Sequence, residues 1–235
     1  KFMDELRKDQ MEERTGETGE NIRGMEFPVA QPEQTVKKPS VNIPLLAKWI
    51  GVLFWLIIAA NIASLFTSEN VTNAVPSLAF AGQILNIVTT AAYGVILLKI
   101  ASESIYYRNS AICCFITAVV AVAMIPVSDD TDLALAIPVV IVSVVVSMIG
   151  EYYEYKGHTD VLNDVSPALS EKWIRLWKWY MGTFLGIIGG TVLAVMIPLI
   201  GMIIVLGATI GTMVVSVVKI VYIYKTAKAF RNYPI

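Results

Sequence analysis

The chain has little of what most soluble enzymes are built from. Its 235 residues include one histidine and two cysteines, and only 16% of them are charged. A single histidine, His158, leaves no Ser–His pair for serine proteolysis inside the membrane and no His-Glu-x-x-His zinc motif. No glycine-rich loop ends in Lys-Ser or Lys-Thr, so nucleotide hydrolysis has no phosphate cradle. No aspartate falls within an apolar run, which removes aspartyl-type intramembrane cleavage. The adjacent Cys113 and Cys114 cannot build a disulfide framework and read as reduced, structural thiols. No carbonyl selectivity filter or ring of pore charges is readable. The chain is therefore expected not to be an enzyme, to need no cofactor or metal, and to have no nucleic-acid partner.

What is present is apolar. Hydrophobic residues make up 56% of the chain and its mean hydropathy is +0.64, whereas an ordinary soluble domain is about 45–50% apolar. These residues gather into six segments, roughly 45–66, 78–100, 109–127, 133–150, 179–197 and 202–223. A helix needs about 20 residues to cross a hydrocarbon core of ~30 Å, and each segment is about that long. The run from Val139 to Val146 is β-branched enough for a buried strand. Length, and the need to satisfy every backbone group in lipid, favour helix instead. Pro126 and Pro138 are placed near helix ends, where a missing N–H is tolerated. The expected fold is all-α, a polytopic membrane protein whose residues 44–235 form six transmembrane helices arranged as three hairpins. Residues 1–43 read as a polar, mostly disordered cytoplasmic tail, rich in Gly, Glu, Pro, Gln and Asn.

Charge gives the direction. All 18 Lys and Arg fall in the tail, at the second and fourth connections, or toward the C-terminal end; Lys48, Lys99, Arg108, Lys156, Arg175, Lys225 and Arg231 are examples. The remaining connections, residues 67–77, 128–132 and 198–201, carry only Glu69, Asp129, Asp130 and Asp132. The positive-inside rule then puts both termini in the cytosol, at a plasma membrane or a bacterial inner membrane. Each hairpin leaves through a tyrosine beside a basic residue: Tyr107-Arg108, Tyr155-Lys156 and Tyr224-Lys225. That fits a triplicated two-helix unit or ordinary interfacial anchoring.

Several groups of residues stand out. Gly182, Gly186 and Gly190 recur at four-residue spacing, and Gly207 with Gly211 repeats it beyond a turn at Pro198-Leu199-Ile200-Gly201. Small residues let backbones approach in lipid, so helices 5 and 6 are expected to pack on each other or on a second copy. Gln83, Asn86 and Thr90 share a helical face, and Asn61 lies at a similar depth, ~8 Å from the outer surface at 1.5 Å per residue. Asn61 and Gln83 are expected to face each other or a shared cavity, as interhelical hydrogen bonds or as the lining of a solute path. Residues 151–178 read as a cytoplasmic interfacial segment. In it Ser166-Pro167 opens a helix that carries a collar of Trp173, Arg175, Trp177, Lys178, Trp179 and Tyr180.

Charged side chains near the membrane are placed at its inner edge. Lys99, Glu103, Glu151 and Lys219 are expected to snorkel there, with Lys99 and Glu103 neutralising each other at i, i+4. Glu151, Glu154 and His158 fall on one helical face with donors suited to a divalent metal. Gly157 weakens that helix, however, and a solvated face is the expectation. Two functions remain open. The first is a non-enzymatic scaffold or regulatory subunit, with the lipid bilayer, a second copy or another membrane protein as its partners. The alternative is a small transporter or channel for a neutral or lipid-like solute, its path lined by Asn61, Gln83, Asn86 and Thr90.

Overall fold

The computed structural model describes residues 40–67, 74–124 and 133–234. Residues 1–39 of the expected tail, Pro126, and the acidic residues Glu69, Asp129, Asp130 and Asp132 lie outside the described residues, while the tail's last residues, 40–43, lead into the first helix. Within them the regular structure is helical, in the order α1 (Ile43–Phe66), α2 (Pro76–Lys99), α3 (Ile105–Met124), α4 (Leu133–Leu162), α5 (Pro167–Met196) and α6 (Pro198–Arg231). All six are long and apolar enough to cross a membrane, the build of a multi-pass membrane protein. At 1.5 Å per residue, α3 is about 30 Å long and α6 about 51 Å.

Local chemistry explains several boundaries. The Asn42 side chain caps α1 by accepting from the Leu45 N–H at 3.1 Å, and Pro44 follows in the first turn, where its missing donor is harmless. The β-branched run stays helical within α4, and Pro138 lies inside that helix rather than at its end. Ser166 occupies the position before α5 but makes no side-chain cap; its carbonyl accepts from Leu169 and Ser170 instead.

Two boundaries differ from expectation. Residues 151–178 are not a separate interfacial segment, because α4 continues to Leu162 and α5 begins at Pro167. Gly157 does not interrupt α4. The expected turn over 198–201 shrinks to Ile197, with Pro198 already in the first turn of α6. A turn this tight forces close contact: Gly201 lies against the backbone of Ala194 with no room for a side chain.

Each helix packs on its neighbours in sequence, and α6 returns to α1. The helices so form a closed ring. Leu46, Ile50 and Leu53 line one face of α1 and meet Leu97, Ile100, Tyr107, Leu162, Trp173, Ile223 and Phe230 in the buried core. This core lies toward one end of the ring, called here the basic end because Lys99, Lys156 and Arg231 are found there. Toward the other end large apolar side chains point outward, with Val195 84%, Met196 78% and Leu199 73% exposed. Apolar surface this continuous needs lipid or a partner to cover it.

Candidate functional site

Among the described residues, the side-chain hydrogen bonds that join different helices or their connections cluster in the basic half. Glu103 accepts from the Asn42 N–H at 2.7 Å, and Ser104 donates to Asp160 at 2.7 Å. Ser170 donates to the Thr159 carbonyl at 2.9 Å, and the Trp173 indole N–H donates to the Thr226 hydroxyl at 3.1 Å. Elsewhere serine and threonine hydroxyls mostly bond back to their own helix, as Thr90 does to Asn86 and Thr209 to Val205.

Glycines on α4 bring α3 close. A Cβ on Gly150 would stand 2.9 Å from Cys113, and one on Gly157 would stand 2.8 Å from the Tyr107 ring. With that space left free, Tyr107 lies flat enough against α4 for its hydroxyl to reach His158 Nδ1 at 2.9 Å. The Ser110 hydroxyl also donates to the Gly150 carbonyl at 2.9 Å.

A charge cluster sits between α4 and α6. Lys219 Nζ donates to Glu151 Oε2 at 2.7 Å and to Glu154 Oε2 at 3.0 Å. The other oxygen of Glu154 accepts from the Tyr93 hydroxyl of α2 at 2.5 Å. His158 is fully buried, stacked on Trp173 with ring centres 4.4 Å apart. Its Nε2 points toward Glu154 Oε1 at 3.7 Å and has no hydrogen-bond partner among the described residues. Tyr107, His158, Glu154, Lys219 and Glu151 so form one chain of polar groups crossing the ring.

The free end of that chain faces a cavity. A space of about 340 Å³ is bounded by α1, α2, α3, α4 and α6, and Glu151, Glu154 and Lys219 lie on its wall. The rest of the wall mixes polar groups, such as Asn61, Thr89, Ser147 and Ser216, with apolar ones such as Ile57 and Ile220. A second space of about 730 Å³ lies between α2 and α3 and reaches Thr67 and Met124, with Gln83 and Asn86 on its wall. Thr90 and Thr117 line both spaces, so the two are neighbours.

The expected site residues divide between these features. Asn61 and Gln83 do not pair: Asn61 lines the inner space and donates to the Ile57 carbonyl of its own helix at 2.8 Å, while Gln83, with Asn86, lines the outer one. Thr90 belongs to both. Gly186, Gly190 and Gly211 lie in the α5–α6 seam, where added Cβ atoms would meet Ala208, Ile204 and Thr183. Gly182 and Gly207 do not, because no atom would come within 4 Å of a Cβ at either.

The collar also splits by helical face. Trp173 is fully buried rather than interfacial, and Trp177 and Tyr180 pack with it around Tyr155. Arg175, Lys178 and Trp179 face outward.

Comparison with known proteins adds nothing to this geometry. No family model matches the chain, and no curated protein or solved structure matches it.

Three electrostatic expectations are corrected. Glu151, Glu154 and His158 are not a solvated face: Glu154 is 3% exposed and His158 0%, because α4 turns that face into the ring. Lys219 does not snorkel outward either. It turns inward, where two carboxylates replace the water it gives up. Lys99 and Glu103 do not pair, since α2 ends at Lys99 and Glu103 bonds Asn42 and Ser102. One signal did mark the cluster. Lys219 lies inside the last apolar run, and a cation within a span points to function with a partner nearby.

Proposed function

We propose that the chain is a multi-pass protein of a plasma membrane or bacterial inner membrane, that its helices cross as three hairpins, and that it binds and moves a small polar solute through its ring of helices. The observation that carries this reading is the 340 Å³ cavity bounded by five helices, with the charged side chains of Lys219, Glu151 and Glu154 on its wall. Polar groups inside a membrane are expensive and mark pathways for solutes or ions. Three charged side chains, one amide and several hydroxyls lie among apolar groups on this wall, a mixture suited to a small solute that carries a polar or charged group.

The absence of Lys and Arg from residues 67–77, 128–132 and 198–201 supports cytosolic termini. In that orientation the tied, buried basic end faces the cytosol and the two neighbouring cavities lead toward the outer side. Movement of solute then requires the basic end to open. The same side chains that tie α4 to α6 reach the cavity, so a solute that engages Glu151 competes with Lys219 and biases that opening.

Cys113 and Cys114 line the cavity and serve as native reporters. A charged, impermeant methanethiosulfonate applied to the outer face of right-side-out vesicles is expected to modify them, and not to modify the Cys113→Ala/Cys114→Ala protein. Thiols that resist the reagent from the outer face, yet react once the protein is denatured, would refute the reading.

A scaffold role keeps support from one observation. Gly182 and Gly207 flank an outward groove of about 450 Å³ with Trp179 on its rim, a shape suited to a second transmembrane helix. Co-purification of a membrane partner that Gly182→Leu/Gly207→Leu abolishes would favour it.

A further inference from the structure

We infer that the cavity exchanges a proton for a small monovalent cation, the two competing for the charge cluster formed by Glu151, Glu154, His158 and Lys219. This rests on the solute-binding reading above and names its substrate class.

The argument begins with charge. Two carboxylates share one ammonium, Lys219, at 2.7 Å and 3.0 Å, which leaves one negative charge uncompensated. That state is disfavoured because Glu154 is 4% exposed, although Glu151, 28% exposed, is partly screened. Two groups are placed to compensate it. The first is His158, whose buried Nε2 lacks a partner among the described residues and points at Glu154 Oε1. When the imidazole takes up a proton, an N–H bond forms, the ring carries a positive charge beside Glu154, and the cluster becomes neutral. The second is a cation entering the cavity. Glu154 has both oxygens engaged, one by Tyr93 and one by Lys219. Glu151 uses only Oε2 for Lys219 and keeps 28% of its side chain exposed, so its Oε1 is the oxygen available to a cation, with the hydroxyls of Ser147 and Ser216 on the same wall.

One site with one missing positive charge takes one compensating ion. Proton and cation therefore exclude each other, and bringing in a cation releases the proton. The groups facing His158 are Tyr107 from α3, Glu154 from its own helix and Trp173 from α5. Lys219 from α6 and Tyr93 from α2 act through Glu154. On the cavity wall α1 offers Ile57, Ala60 and Asn61, none of which ionises.

The test uses the full chain purified in detergent in weakly buffered solution, at a series of pH values from mildly acidic to neutral, with a pH-sensitive dye. Sodium, potassium and methylammonium chlorides are added in turn, which separates inorganic from organic cations. Release approaching one proton per protein on adding at least one of them, at the acidic end of the series, is expected, with apparent affinity for the cation weakening as the pH is lowered. Glu151→Gln should abolish the release. His158→Gln should keep cation binding, read by protection of Cys113 and Cys114 from modification, while releasing no proton.

No proton release from the wild-type chain, with the thiols still accessible from the outer face, overturns cation exchange and leaves solute binding standing. Inaccessible thiols overturn both. Release that survives in Glu151→Gln overturns the assignment of the cation to this cluster.

Discussion

Replacing Lys219 with methionine tests whether the cluster is buried as described. The substitution keeps an unbranched side chain of similar length and removes the charge. Glu154, with 4% of its side chain exposed, then retains the Tyr93 hydroxyl as its hydrogen-bond donor among the described residues, with the His158 imidazole 3.7 Å away. Removing one partner of a buried ion pair costs about 3–5 kcal/mol. A ceiling applies, because the stranded carboxyl escapes by taking a proton. For a carboxyl that titrates near ~4.3 in water, that costs about 3.7 kcal/mol at pH 7.

Glu151 adds little, since its side chain is 28% exposed and water screens it. The expected loss is therefore about 3–4 kcal/mol, or an apparent Tm lower by about 10 °C at a few degrees per kcal/mol. Intrinsic fluorescence of the five tryptophans, scanned at a fixed rate in detergent, reads it; the rate is fixed because unfolding of such proteins is often irreversible. Adding Glu154→Gln to Lys219→Met should recover more than half of the loss. A single-variant loss below about 1 kcal/mol, the value of an exposed pair, would refute the buried cluster, as would a double variant no more stable than the single.

Other outcomes follow from the packing and the charge pattern. Gly190→Ala and Gly211→Ala should each cost about 1–3 kcal/mol by overpacking the α5–α6 seam, where Cβ atoms would stand 2.9 Å from Ile204 and 2.7 Å from Thr183. Gly182→Ala, with nothing within 4 Å, should leave Tm unchanged or slightly higher. Trp173→Phe removes the donor to Thr226 and should cost about 1 kcal/mol or more, whereas Trp179→Phe, at a 65% exposed position, should not be measurable in the same melting assay. Asp130→Cys, in a chain with Cys113 and Cys114 replaced by alanine, should be labelled by an impermeant maleimide from the outer face alone. Labelling from the cytosolic face would reverse the proposed topology.

The helices were legible because lipid imposes one requirement, internal satisfaction of every backbone group, and residue hydropathy reports it directly. Helix ends were less so. The expected spans stopped where polarity began, at 150 and 179, yet α4 and α5 continue through Glu154, His158, Trp173 and Trp177. Polar residues there do not end a helix when the ring gives them partners. Glycine was ambiguous for a related reason. The spacing of Gly182, Gly186 and Gly190 marked a small-residue face, but only the contacts separate Gly186 and Gly190, under α6, from Gly182 in the open. The Glu151–Lys219 pair spans 68 residues, and no periodicity within one helix could announce it.

The two ends of the ring differ in what holds them. Toward the end opposite the basic one, hydroxyls bond within their own helices and the seams rely on close packing, such as Gly82 against Phe66 and Gly201 against Ala194. At the basic end, specific polar bonds tie neighbouring helices, and aromatic rings of α4, α5 and α6 fill the space between them. Packing of small residues is insensitive to charge. The polar ties are not, because Lys219 can hold α4 to α6 only while Glu151 and Glu154 remain its counterions. A buried ion pair rarely adds net stability over well-packed apolar residues. This cluster therefore has little to recommend it as a clamp alone, and its value lies in being breakable. Under the proposed exchange, an ion or solute that changes its charge balance would loosen one end of the ring and leave the α5–α6 seam intact.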